Sequence, residues 1–235
     1  MDALILRWYE RRAGSADVVD RWLRAARAHL PAAVPRRFGE SEPLRGRLDR
    51  DGEDALRQAY ATADPLLFLA GAPPVYHATL ATAGRGPVLA HTMTAALDPE
   101  DPRVRGFSLA MTHPDTIYVS ASTATMELDG DTLYGQDGRR AEPYLAPLGD
   151  WLGLPPDPPL WCWFGPAYAR RLRRHLEGEH IAGGLLHTPR PGGSWVPGQW
   201  QAKLTEIDPV RRHAPRMPRG LRRSVLRQAF GGLRS

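Results

Sequence analysis

The sequence predicts an α+β fold: a central, largely antiparallel β-meander flanked by helices, with a basic C-terminal helix. Three observations predict it. Between Leu66 and Arg140, short apolar or alternating runs are separated by glycine-bearing turns, as in consecutive strands. Val19 to Leu30 and Tyr168 to Leu176 carry apolar residues at helical spacing. Leu160-Trp161-Cys162-Trp163-Phe164 is apolar at every position, so it describes a strand covered on both faces, the scaffold around which the chain is arranged.

Taken in order, Ala3 to Tyr9 reads as a first strand. Ser15 is placed to cap a helix whose Val19, Trp22, Leu23, Ala26 and Leu30 share one face, with Asp17 near its positive end; Pro31 and Pro35 stop it. Arg36 to Leu44 lacks a period and mixes charges around Phe38 and Gly39. It is expected as an ordered loop or short edge strand, its charges forming either a recognition surface or a solvated salt-bridged loop. Asp51 opens a second helix, Gly52 to Ala63, ended by Asp64-Pro65.

Strands are then expected at Leu66–Ala70, Val75–Ala83, Pro87–Ala95, Phe107–Thr112, Thr116–Leu128 and Thr132–Tyr134. Gly84-Arg85-Gly86, Asp129-Gly130 and Asp137-Gly138 supply their turns. Pro143 to Leu154 fits a short helix, and the prolines at 155, 156, 158 and 159 a stiff linker into the aromatic strand. Gly165 frees the backbone to turn and Pro166 suits a first helical position, so the strand delivers a helix bearing Arg170, Arg171, Arg173 and Arg174. Ile181 to His187 is a further short element, followed by a proline- and glycine-rich loop with Trp195.

A chain of 235 residues can bury roughly 70% of its unfolded surface. Residues 1–208 are read as a single α+β domain and residues 209–235 as a basic, proline-broken arm and C-terminal helix. The net charge is +5, and Lys203 is the one lysine. Eight arginines and no acid fall between Pro209 and Ser235, which leaves −3 for the first 208 residues. The basic character therefore belongs to the tail. Cys162 is the single cysteine, which excludes an intrachain disulfide and points to a reducing compartment. With no leader-like apolar region and no run of membrane-spanning length, a cytoplasmic protein is expected.

Phosphate-binding, dinucleotide-binding, G-x-S-x-G and H-E-x-x-H motifs are absent from the sequence. Cys162 is a nucleophile only if its thiol is ionised by a nearby base, such as His77, His91 or His187, or by the N-terminus of the helix starting at Pro166; its tryptophan neighbours favour a buried, structural thiol. Glu127, Asp129 and Asp131 would share a strand face suited to a cation, but Asp129-Gly130 is better read as a hairpin turn. His175 and His180 are separated by Gly178, which breaks a helical ligand pair. His113-Pro114-Asp115 matches a co-chaperone tripeptide in a context of the wrong kind.

Pro35-Arg36-Arg37-Phe38-Gly39 with Glu42-Pro43-Leu44, and Trp163-Phe164-Gly165-Pro166-Ala167-Tyr168, resemble features of bacterial polymorphic-toxin immunity proteins of mixed α/β build. In those, a helix follows the first strand and a late strand enters a helix through Gly-Pro-x-Tyr. The resemblance implies a protein that acts by occluding a partner, with no catalytic residue; the basic tail departs from the acidic character of many such proteins.

The sequence is thus read as a non-catalytic cytoplasmic binding protein of immunity or defence type, with a protein partner and without cofactor, metal or membrane association. The partner-binding residues expected are Arg170, Arg171, Arg173 and Arg174 on the late helix and Arg211, Arg212, Arg216, Arg219, Arg222, Arg223 and Arg227 on the arm. Two alternatives are a nucleic-acid-binding accessory protein using that arm and a cysteine- or metal-dependent hydrolase.

Overall fold

A computed structural model describes residues 2–82, 88–129, 132–135, 159–166, 169–170 and 176–189. Their strands form one sheet in the order β10-β11-β9-β7-β1-β6-β5-β4-β2-β3, with β8 paired to the far end of β7. The strands are β1 (Asp2–Arg11), β2 (Arg37–Gly39), β3 (Gly46–Arg47), β4 (Leu66–Ala70), β5 (Val75–Ala81), β6 (Val88–Ala95), β7 (Thr116–Asp129), β8 (Thr132–Gly135), β9 (Trp161–Phe164), β10 (Glu179–Ile181) and β11 (Gly184–His187). Every pairing is antiparallel. The helices are α1 (Val18–His29), α2 (Leu48–Thr62) and α3 (Pro102–Ala110). An α+β architecture with a largely antiparallel sheet is therefore what the chain adopts.

The organising strand is β1. Residues 3–10 are all buried, and β1 pairs along its length with β6 on one side and β7 on the other, Leu6 standing opposite both Met93 and Ala121. Its alternation divides the sheet into two faces. Leu4, Leu6 and Trp8 join the core built with α1 and α3, while Ile5 and Tyr9 are buried on the opposite face. β9 repeats the division: Trp161 and Trp163 belong to the helix-side core, whereas Phe164 packs against Tyr118, 5.3 Å between ring centroids. Four buried indoles each donate to a main-chain carbonyl: Trp8 to Ser108, Trp22 to Ala33, Trp161 to Pro99 and Trp163 to Ile181. Each donor is thereby satisfied inside the core.

Several expectations are corrected. The meander holds for β4, β5 and β6, but β7 does not join β6: β1 lies between them. Both neighbours run antiparallel to β1, so they are parallel to each other and need a crossover rather than a hairpin. Phe107–Thr112 lies in that crossover, as the end of α3 and the turn after it, rather than in a strand. The Asp101 side chain accepts the Arg103 N–H and Pro102 occupies the first turn, a strong helix start. Val104, Phe107 and Ser108 form its buried side. Phe107 meets Trp22 and Trp8 edge to face at 5.1 and 5.7 Å.

Ser15 does not cap α1; its hydroxyl donates to the Arg12 carbonyl and the helix begins at Val18. α2 opens one turn earlier than expected and breaks at Gly52, where φ is 80°. Gly165 is required less for turning than for clearance, because a Cβ there would collide with the Thr116 carbonyl of β7. The 129–132 pairing fits the hairpin reading of Asp129-Gly130. His113-Pro114-Asp115 is the joint between α3 and β7, where the Asp115 carboxylate accepts from Arg11. The expected helices at 143–154 and 209–235 lie outside the described residues.

Candidate functional site

The thin end of the sheet carries a groove. After α1 a 3-10 turn, Pro31–Ala33, leads into Val34, where the backbone becomes extended, and on into β2. The Arg36–Leu44 segment, expected as an ordered loop or short edge strand, thus holds a strand with a neighbour on each side, β4 and β3. Two main-chain bonds anchor it: Arg36 N–H donates to the Ala70 carbonyl and Leu48 N–H donates to the Arg36 carbonyl. A third bond, Ala72 N–H to Ala32, holds the β4–β5 turn beside the same segment. The groove is open to solvent and has a volume of about 1340 Å³, lined by Arg36, Arg37, the Glu42–Leu44 loop, the start of α2 and the Gly71–Tyr76 region. Its walls are largely proline and aliphatic, with Tyr76 the aromatic residue among them.

Charge on the rim falls into two groups. Arg47 places its fork on Asp49 at 2.9 and 3.2 Å, and its N–H donates to Asp51 at 2.8 Å. Arg50 bonds Asp51 at 2.6 Å. These contacts hold Asp49 below the usual carboxylate range, chiefly through the Arg47 bond. They pull Asp51 down to about 2, chiefly through the Arg50 bond and then the Arg47 N–H. By contrast, the exposed guanidinium groups of Arg36 and Arg37 make no hydrogen bond or ion pair among the described residues. Glu42 makes no hydrogen bond or ion pair there either, though its charge acts on His77.

A second constellation lies inside the molecule, between β1, β6 and α1. Glu10 and Arg21 are 1% and 4% exposed and His91 is fully buried. Arg21 Nη2 donates to both Glu10 oxygens at 2.9 and 2.8 Å, and to the Gly14 carbonyl; Nη1 serves the Met111 carbonyl and Nε serves Asp17. His91 Nδ1 accepts the Ala81 N–H at 3.0 Å, so the ring carries its proton on Nε2 and donates it to Glu10 at 3.1 Å. Glu10, Arg21 and His91 are each buried and hydrogen-bonded, with Asp17 at the solvent edge of the cluster, which is how a buried ion pair is tolerated. This cluster escaped sequence reasoning. Its signals were present: Glu10 falls at the inward parity of β1, and Arg21 sits among Val18, Trp22 and Ala25 on the apolar side of α1.

Comparison of the chain with protein-family models, curated proteins and solved structures finds no match. The site must therefore be read on its own chemistry.

Of the arginines expected to bind a partner, Arg170 is exposed on the helical turn entered through Gly165-Pro166, where Ala169 N–H donates to the Gly165 carbonyl. Arg171, Arg173, Arg174, Arg211, Arg212, Arg216, Arg219, Arg222, Arg223 and Arg227 lie outside the described residues. For the hydrolase alternative, the sheet sets His187 of β11 directly opposite Cys162 of β9. Yet Cys162 has no exposed surface, so no substrate reaches its thiol in this conformation. His91 is committed to Glu10, and His77 bonds Thr94 at 3.2 Å. Among the described residues, no three His, Cys, Asp or Glu side chains gather as a metal site, and no helix is long and apolar enough to cross a membrane.

Proposed function

We propose that this chain is a non-catalytic binding protein of immunity or defence type, which acts by occupying a partner protein, and that the groove at the β2–β3 end is its docking face. The observation that carries the reading is the pair Arg36 and Arg37, exposed and unpaired on the rim of an apolar-walled groove of about 1340 Å³. Unpaired arginines beside apolar walls suit an interface, where arginine and apolar contact are both enriched. The same segment, Pro35 to Leu44, is one of the two stretches resembling immunity proteins, and most of it lines the groove.

The test is co-expression of the full chain with the product of the gene adjacent to its own. The expected result is a complex stable through size-exclusion chromatography and relief of that product's toxicity. Pro73→Trp, which places a large ring at an exposed groove position, should abolish both. An adjacent product that is harmless, or a complex indifferent to Pro73→Trp, would reject the reading.

A further inference from the structure

We infer that the groove receives an extended acidic segment of the partner, its carboxylates meeting Arg36 and Arg37 and its apolar side chains meeting the proline-rich walls. The inference rests on the groove being the docking face, and names the chemistry that fits it. The main chain of Arg36 is held on both sides, by Ala70 and Leu48, and β2 pairs with β3 and β4. The two guanidinium groups are therefore presented from a fixed backbone, which lowers the ordering cost of binding. A guanidinium fork fits a carboxylate in bidentate fashion. Two of the nearby acids are already occupied, Asp49 by Arg47 and Asp51 by Arg50. Glu42, the one unpaired acid on the lining, leaves a surplus of cation over anion.

The same inventory favours a peptide over a nucleic acid. Glu42 and Asp49 line the groove beside the two arginines, and these carboxylates repel a continuous phosphate chain. A peptide whose carboxylates are spaced by apolar residues can set those carboxylates on Arg36 and Arg37 and keep its uncharged residues beside Glu42 and Asp49. Pro43, Leu44 and Pro73 have surface on the groove that apolar side chains of a peptide can cover.

The test uses the full chain and fluorescence anisotropy with labelled peptides of sequence Leu-Glu-Pro-Glu-Leu, its glutamine analogue and its lysine analogue, together with a labelled oligothymidylate. The acidic peptide should bind at least about tenfold more tightly than the glutamine analogue, the scale of one charge-assisted bond. Arg36→Ala with Arg37→Ala should remove that advantage, while Arg24→Ala, at an exposed position of α1 outside the groove lining, should leave it unchanged. Far-ultraviolet circular dichroism confirms the fold of each variant. If the glutamine or lysine peptide binds as tightly and Pro73→Trp blocks it, the docking face stands and the acidic inference falls. If no peptide binds, both fall; oligothymidylate binding through Arg36 and Arg37 would overturn the inference in favour of a nucleic-acid ligand.

Discussion

Arg21→Met isolates the buried ion pair. In the native chain the guanidinium contacts both Glu10 oxygens and the carbonyls of Gly14 and Met111, all within 3.0 Å. Removing it leaves a carboxylate that is 1% exposed with His91 as its remaining partner, and strips a donor from two main-chain carbonyls. Breaking one side of such a pair costs about 3 to 5 kcal/mol. For a chain of this size that lowers the melting temperature by on the order of 10 °C. Glu10→Met should cost a similar amount, because it strands the cation. The double variant should cost less than the sum by about 2 kcal/mol or more, since neither charge is then left alone. Urea unfolding followed by tryptophan fluorescence reads all three, as Trp8 and Trp22 are buried beside this region. The native stability should also be insensitive to 1 M salt at this pair, because it is shielded from counterions. A single-variant cost below about 1 kcal/mol, or costs that add within about 0.5 kcal/mol, would refute the account.

Other outcomes follow from the same geometry. Ala182 has φ of 50° ahead of Gly183 at 74° in the two-residue β10–β11 turn; Ala182→Asn creates the favoured Asn-Gly pair and should raise stability by about 0.5 to 1 kcal/mol in urea titrations. Gly165→Ala should cost about 2 to 3 kcal/mol by the same assay, because the added methyl meets the Thr116 carbonyl and the sheet must shift. Burial holds the His77 imidazole below its ordinary value, so the unfolded chain takes up its proton first. His77 therefore contributes stability that is complete above about pH 6.5 and is lost as pH falls below that value. His77→Gln should flatten that part of a stability-against-pH curve, and an unchanged slope would show that His77 does not carry it.

Much of the scaffold was legible because it depends on local pattern. The apolar and aromatic richness of β1, the continuous apolar run of β9, the helical spacing in α1 and the prolines that follow it are properties of neighbouring residues, and each marked an element. α3 was misread where local signals competed: Phe107 to Thr112 is apolar enough for a strand, and the decisive information lay upstream in the Asp101-Pro102 start. The groove was half legible. Arg36 to Leu44 stood out as a charged, aperiodic segment, but whether its arginines were paired depended on residues that only folding brings near.

The sequence by itself determined the class of fold, the identity of most strands and the fact that the cysteine strand is buried on both faces. Tertiary structure decided that β1 rather than the aromatic strand is the centre, because insertion between β6 and β7 depends on a pairing about ninety residues distant in sequence. It also decided which charges matter: Glu10 and Arg21 are consumed inside the core, Arg47 and Arg50 are neutralised by adjacent aspartates, and Arg36 and Arg37 remain available. Nothing in a list of residues separates these arginines; the difference is set by which carboxylates lie within a few ångströms once the chain is packed.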